Sequence, residues 1–134
     1  TGFLFGIYDR TLAINSSGGT GSRSTTLLTL QKWSHVAVVL TPAAVIMYVD
    51  GARVTVDLPR ALTLVANTEP MMIGNRNPAQ SESPPPLTAF FGDLDVLRIY
   101  GRSKRPEEIC ADAGRVWQAG ACVGTLIGTG AAPP

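Results

Sequence analysis

The sequence has little charge and few aromatic side chains. Asp, Glu, Lys and Arg make up 16% of its 134 residues, Phe, Trp and Tyr make up 7%, and the formal net charge is +1. A nearly neutral chain creates no overall field that attracts nucleic acid or an anionic membrane. No apolar run approaches the ~20 residues of a membrane-spanning helix. We therefore expect neither nucleic-acid binding nor membrane insertion, and we expect the basic residues between Arg98 and Arg105 to form a solvated face.

The residues that usually carry catalysis or metal binding are also scarce. His35 is the only histidine, and the two cysteines, Cys110 and Cys122, lie far from it in sequence. These residues provide no Ser-His-acid or Cys-His arrangement, and two thiols without a histidine cluster argue against zinc. A disulfide between the cysteines would close a short loop and contribute ~3 kcal/mol. The alternative is two unpaired buried thiols.

Short apolar or alternating runs, separated by Gly, Pro, Asn, Ser and Thr clusters, indicate an all-β chain. Residues 33–40 are apolar on both faces, which is typical of a strand in the middle of a sandwich. Asp50 and Gly51 then supply a tight hairpin turn. Residues 15–24 are predicted as a loop. The remaining predicted strands cover residues 3–8, 11–14, 25–30, 45–49, 53–58, 62–65, 71–73 and 89–100.

One helix is predicted near the C-terminus. Pro106 suits the first helical turn, and two glutamates complement its N-terminal dipole. The pattern continues to about Trp117, and Gly120 would stop it. Residues 123–134 are rich in Gly, Ala and Pro and are predicted to be a tail or linker.

Four segments, taken in order, resemble laminin-G-like domains of the concanavalin A-like jelly-roll class. Residues 33–39 (WSHVAVV) and 46–51 (IMYVDG) resemble the central hairpin of that family. Residues 73–74 and 91–100 (FGDLDVLRIY) resemble its late strands, and 106–109 (PEEI) resemble its short closing helix.

The resemblance implies an antiparallel two-sheet jelly-roll sandwich over residues 1–122, with one short C-terminal helix. Members of the family that this chain resembles usually have several strands before the segment that begins at Phe3. We therefore expect residues outside this chain, or another chain, to complete the sandwich. In that family Leu and Ser usually precede the closing helix, whereas this chain has Lys104 and Arg105 there. The residues of these matching segments are expected to be structural: Trp33, His35, Tyr48, Asp50, Gly51 and Gly92. Gly92 is expected to be a bulge or a point of close approach.

Two aspartates on one strand face, Asp93 and Asp95, are the candidates for chemistry. Carboxylate pairs serve glycoside hydrolases of the same fold, but the Glu-x-Asp-x-x-Glu strand of those enzymes is absent here. Calcium is the candidate ion, with both aspartates as ligands, and it needs further oxygens to complete six to eight. Alternatively, Asp95 pairs with Arg98 or Arg102, or caps the turn. We expect no enzymatic activity.

Two modification patterns point to the outside of the cell. Asn15 begins an Asn-Ser-Ser acceptor pattern for N-glycosylation. Pro84, Pro85 and Pro86 follow Ser83, as in the hydroxyproline-rich extracellular glycoproteins of plants and green algae; the alternative is a rigid loop.

The predicted function is that of a non-enzymatic, extracellular or cell-surface recognition or assembly module. Its expected partners are extracellular proteins, glycans or other domains of the same assembly. The alternative is an architectural unit of a large surface, matrix or ciliary (mastigoneme-like) glycoprotein filament. A glycoside hydrolase, or the targeting module of one, is the third candidate.

Overall fold

The computed structural model describes residues 3–16, 21–54, 62, 68, 71–74 and 90–124. Within these residues the chain forms antiparallel sheets and one short helix, as the sequence predicts. The strands and helix are β1 (Phe3–Tyr8), β2 (Thr11–Ser16), β3 (Gly21–Arg23), β4 (Val36–Leu40), β5 (Val45–Val49), β6 (Ala52–Arg53), α1 (Pro106–Asp112), β7 (Val116–Gln118) and β8 (Ala121–Val123).

The first sheet has the order β1-β2-β3. Phe5 lies opposite Ile14 and Ile7 lies opposite Leu12, so these four side chains share one face. Leu12 and Ile14 are fully buried, whereas Ile7 on the edge strand is 45% exposed. The core-facing side of this sheet is therefore covered over β2 and partly open over β1, where Phe5 packs on the core and Ile7 is exposed.

The second sheet has the order β4-β5-β6 and holds the predicted hairpins. Val36 lies opposite Val49 and Leu40 opposite Val45. Asp50 and Gly51 join β5 to β6 with φ angles of 51° and 77°. Positive φ at both central residues is the type I′ geometry, whose twist matches that of the flanking strands.

Two apolar clusters lie against these strands. One buries residues of β2 and β5, and the other packs Val39 and Tyr48 against Ile109 of α1. The first cluster comprises Leu12, Ile14, Leu28, Val45, Met47, Val49 and Val54.

The helix is shorter than predicted. α1 ends at Asp112, with Ala113 as its C-cap, and residues that were predicted to be helical form β7 instead. Gly114 adopts a positive φ directly after the cap, and a left-handed glycine at this place commonly ends a helix. The β7–β8 hairpin was not predicted, because its three-residue strands are too short for a period-2 pattern.

Three further predictions about strands were wrong, in each case within the described part of the chain. Residues 25–30, 71–73 and 90–100 belong to no strand, and the predicted loop at 15–24 contains the end of β2 and all of β3. Residues 33–40 were predicted for the middle of a sandwich, and β4 (Val36–Leu40) does meet an apolar cluster on each of its faces, although it comes first in the order of its described sheet. A sequence pattern sets the preference for an extended backbone, whereas a strand also needs a neighbour.

The predicted strand at 62–65 and the tail beyond residue 124 lie outside the described residues, apart from Leu62. Among the described elements, no helix has the length and apolar character that a membrane crossing requires.

Candidate functional site

The central hairpin is held together by His35 and Asp50. The Asp50 N–H donates to the His35 carbonyl (2.7 Å), and the His35 N–H donates to Asp50 Oδ1 (2.9 Å). The Asp50 carboxylate therefore accepts a hydrogen bond from His35, the residue that precedes β4. The Asp50 backbone is at the same time the first residue of the turn. His35 and Asp50 contribute their backbone and carboxylate to hairpin structure.

Gly51 lies against the disulfide. A Cβ placed on Gly51 would be 2.4 Å from Cys122 Sγ and 3.1 Å from the Cys110 Cα, and Gly51 also has a φ of +77°. Glycine is required here because of the turn conformation and because of the approach of another part of the chain.

The predicted disulfide between Cys110 and Cys122 is confirmed. It joins α1 to β8, and Arg115 Nη1 between these elements donates to the Asp50 carbonyl (2.5 Å). Cys110 is fully buried. We call Asp50, Gly51, Cys110, Arg115 and Cys122 the turn-and-disulfide cluster; it fixes the hairpin tip to the C-terminal helix.

Tyr48 lies in β5, and Trp33 precedes β4. Tyr48 is buried with Val39 and Ile109, and burial raises the pKa of its hydroxyl. Trp33 is half-buried. Tyr48 thus contributes to the contact between the hairpin and α1.

The basic residues before α1 pair with its acidic residues, and all of the paired cations except Lys104 remain largely exposed, as a solvated face requires. Arg102 contacts Glu108 (2.5 Å), and Lys104 and Arg98 both contact Asp112, Arg98 at 3.8 Å. The expected pairing of Asp95 with Arg98 or Arg102 was wrong, because these cations pair with α1.

Lys104 and Arg105, which stand where laminin-G-like domains usually have Leu and Ser, both interact with acidic residues of α1. The Glu108 carboxylate accepts the Arg105 N–H (2.8 Å), which satisfies a free donor at the helix start. Lys104 pairs with Asp112 and lies over the Tyr100 ring. The hydrogen bond from Arg102, with that from the Arg105 backbone, lowers the pKa of Glu108 to about 2.

The His35 imidazole is enclosed without a hydrogen bond at one nitrogen. Nδ1 is buried and has no hydrogen-bond partner in the described part of the chain. Burial lowers the pKa of His35 below 6.5, although the Asp112 and Asp50 carboxylates act in the opposite direction. The neutral ring is therefore the form that suits this structure.

Asp93 and Asp95 lie in an exposed stretch that belongs to no described strand. Among the described residues no group of three or more His, Cys, Asp or Glu side chains is placed to hold a metal ion. Calcium at these two aspartates would need oxygens from elsewhere, and this site stays a prediction. Gly92 lies next to them, and a Cβ there would be 3.0 Å from the Phe90 ring.

The outer face of the first sheet carries an aromatic and a cation in contact. Tyr8 is 61% exposed, and the Arg23 guanidinium lies 4.1 Å from the centroid of its ring. Leu4 lies four residues before Tyr8 in β1, so its side chain is on the same face, and it is also exposed. We call Leu4, Tyr8 and Arg23 the outer patch.

Asn15 shares this outer face. It lies at the end of β2 opposite Leu4, and its side chain is exposed. Asn15 was predicted to lie in a loop, but it belongs to the strand; whether it carries a glycan stays a prediction. Pro84, Pro85 and Pro86 lie outside the described residues.

A family model described as the concanavalin A-like lectin/glucanases superfamily, of the laminin-G group, matches residues 1–110. The chain belongs to this superfamily. The predicted concanavalin A-like fold is thereby confirmed, and the hairpin and α1 are elements of a laminin-G-like domain. The superfamily's name covers both lectins and glucanases, so membership does not select between binding and catalysis.

A solved structure is similar as well. It is the S-layer domain-containing protein (residues 221–444) from Clostridium thermocellum ATCC 27405, with 25% sequence identity and a TM-score of 0.52. The similarity covers 74% of this chain and 49% of that one, so the laminin-G-like chain spans about half of its structural relative. No curated protein matches.

Sequence reasoning missed Arg115, Asp112 and the pair Tyr8 and Arg23. Arg115 was assigned to a helix, which concealed its contact with the hairpin turn. Tyr8 and Arg23 meet because β3 pairs with β2 in one register, in which Ala13 lies opposite Arg23. A register of this kind depends on β3, which the sequence presents as a Ser- and Gly-rich loop.

Proposed function

We propose that this laminin-G-like chain is a non-catalytic recognition module of an extracellular or cell-surface protein, and that it acts through protein contacts. The observation that carries the proposal is the outer patch. Tyrosine and arginine are enriched among the residues that dominate protein interfaces. Here a tyrosine, an arginine and a leucine are exposed together on one face of a sheet, away from the apolar core.

The disulfide supports an extracellular location. Disulfides persist in oxidising compartments and are rare in the cytosol. Cys110 and Cys122 are bonded in the turn-and-disulfide cluster, where the bond joins the helix to the hairpin. The S-layer protein that resembles this chain is named for a cell-surface layer, which agrees with such a location.

Glycan binding is less well supported than protein contact. Sugar sites commonly place an aromatic ring as an open platform among polar neighbours in a shallow groove. The ring of Tyr8 has the Arg23 guanidinium over one face. Cation–π pairs of this kind are more typical of protein surfaces and interfaces.

Hydrolysis is the least supported candidate. A glycosidase needs a carboxylic acid whose pKa is raised, which usually requires burial, and a second carboxylate across the scissile bond. Asp93 and Asp95 are both exposed. An architectural role in a surface filament uses the same protein contacts and is the second candidate, supported by the S-layer relative.

A crosslinking experiment on the native polypeptide tests the proposal. A photo-reactive phenylalanine analogue at position 8 should give a protein adduct on intact cells, and Arg23→Ser should reduce its yield at least about fivefold. The same analogue at Gln118, which is exposed on β7, serves as the control. Equal adducts at both positions, or none at position 8, would contradict the proposal.

The competing activities are tested with sugars. The native protein should release no soluble sugar from a panel of polysaccharides and should bind no member of a glycan array through Tyr8. Sugar release that Asp93→Asn abolishes would establish the hydrolase instead. Glycan binding that Tyr8→Ser abolishes would establish the lectin.

A further inference from the structure

The outer patch contains a side chain that crosses the first sheet. Arg23 in β3 lies opposite Ala13 of β2, on the same face as Tyr8 in β1. Because β2 lies between β1 and β3, the Arg23 side chain passes over β2 to reach the Tyr8 ring. Ala13 is only 8% exposed although its side chain is on the outer face, which agrees with an arginine side chain lying over it. The small side chain of Ala13 therefore leaves room for this crossing.

The Arg23 guanidinium has no anionic partner in the part of the chain that the structure describes. Its contact there is with the Tyr8 ring, and it takes part in none of the ion pairs. Asp9, in the turn after β1, is the acidic residue next to Tyr8 in sequence, and it forms no ion pair with Arg23. A guanidinium that stacks on a ring keeps its N–H donors in its own plane, so these donors remain available to an acceptor.

The outer face of the first sheet carries one cation and no acid. Its other outward-facing residues in β1, β2 and β3 are Leu, Gly, Tyr, Thr, Ala and Asn. A polyanion such as a nucleic acid or a sulfated glycan is held by several cations along its length, which this face does not offer. A single planar guanidinium fits a single carboxylate, with which arginine forms paired hydrogen bonds.

The surface beside the guanidinium has room for an apolar side chain. Gly6 lies between Leu4 and Tyr8 in β1, on the outer face, and a Cβ placed on it would meet no atom within 4 Å. Leu4 and Tyr8 are four residues apart, so their Cα atoms are about 13 Å apart along the strand. An aliphatic side chain of a partner can therefore lie over Gly6 and contact the exposed side chains on either side of it.

We propose that the partner protein of the outer patch presents an Asp or Glu carboxylate to Arg23 and a neighbouring aliphatic side chain to the space over Gly6. The charged pair fixes the orientation of the partner, and the aliphatic side chain supplies apolar contact. Stacking on Tyr8 holds the guanidinium in place beforehand, so less side-chain entropy is lost on binding. This inference rests on the proposed function and names the chemistry of its partner.

A titration of the native polypeptide with capped dipeptides tests the carboxylate. The probes are N-acetyl-Glu-Leu-amide and its Gln-Leu counterpart, and binding is followed by the NMR shifts of the Arg23 side-chain N–H and the Gly6 backbone N–H. The Glu-Leu probe should bind at least about tenfold more tightly than the Gln-Leu probe. Arg23→Gln should abolish this preference. Arg53→Gln, at an exposed arginine of the second sheet, is the matched control and should leave the preference unchanged.

Gly6→Val tests the apolar half of the site. The fold should be retained, because the added Cβ has open space around it. The valine side chain fills the space that the partner's aliphatic side chain would occupy, so the Glu-Leu probe should bind at least about fivefold more weakly. Binding of N-acetyl-Glu-Gly-amide, which has no aliphatic side chain at that position, should change by less than about twofold.

Three results would overturn the proposal. They are equal affinity for the Glu-Leu and Gln-Leu probes, the absence of a saturable shift at either group, and Arg23-dependent binding of methyl glucuronide that is as tight as binding of the Glu-Leu probe. The last result would assign the site to an acidic glycan. Protein adducts at position 8 together with equal affinity for the two dipeptides would reject this inference alone, whereas the absence of such adducts would reject the proposed function.

Discussion

The central hairpin and residues 90–100 carry similar sequence patterns and have different structures. Both are rich in Val, Ile, Leu and Tyr, and both match the laminin-G-like family. In the hairpin, Val36 to Leu40 pair residue by residue with β5, and Met47 is fully buried. In the other segment, Leu97 and Ile99 are largely exposed and belong to no described sheet.

The difference between the two regions comes from their partners. The hairpin finds its partner five residues away, across a short turn, so its pairing costs little loop entropy. Residues 90–100 pair with none of the described strands. A β-pattern therefore predicts an extended backbone, while the strand forms only where another edge is available.

Removal of the disulfide should have the largest effect on the hairpin region. Cys110→Ala with Cys122→Ala should lower the free energy of unfolding by about 3 kcal/mol, because the unfolded chain loses a covalent loop. Thermal unfolding measures the change, and a reducing agent should destabilise the wild type but not the double variant. Equal stability of the two proteins would contradict the role assigned to the turn-and-disulfide cluster.

Gly51→Ala should be the next largest change. Its Cβ would enter a left-handed turn and approach Cys122 Sγ, so we expect a loss of about 2–3 kcal/mol in denaturant unfolding. Gly120→Ala is the matched control, since Gly120 has a φ of +80° but open space around its Cα. The control should cost about 1 kcal/mol. Equal losses would show that contact with the disulfide is unimportant.

Leu97→Ala tests the contrast between the two regions. Because Leu97 is 60% exposed, the substitution should cost less than about 0.5 kcal/mol in chemical unfolding of the native protein. Val39→Ala, at a buried position of β4, is the comparison and should cost about 2 kcal/mol. Equal losses at both positions would show that residues 90–100 are packed as tightly as the hairpin.

The smallest expected effect concerns His35. Its folded-state pKa lies below 6.5, so its contribution is fully present above pH 6.5 and is lost as the pH falls through the folded value. Stability measured from pH 7 to pH 5 should therefore decrease in the wild type. The decrease should be smaller in His35→Gln, and an identical slope in both proteins would contradict a buried neutral imidazole.

Much of the fold could be predicted from local sequence. The Asp50-Gly51 turn, the two strands beside it and the start of α1 at Pro106 all depend on residues that are near neighbours. The pairing of Cys110 with Cys122 follows from two cysteines close together in sequence.

The candidate site could be predicted less well, because its contacts depend on register and on distant segments. The outer patch exists because β2 aligns Ala13 with Arg23. The end of α1 and the β7–β8 hairpin depend on the disulfide and on Arg115 reaching the Asp50 carbonyl. The place of β4 in its described sheet depends on which strand lies beside it, and no local pattern contains that information.

Peptide mapping of the native protein without reduction tests the central claim most directly. The account predicts that peptides containing Cys110 and Cys122 are linked, that reduction separates them, and that the protein comes from the cell surface or medium. Free thiols at both positions would contradict the turn-and-disulfide cluster and remove the main support for an extracellular location.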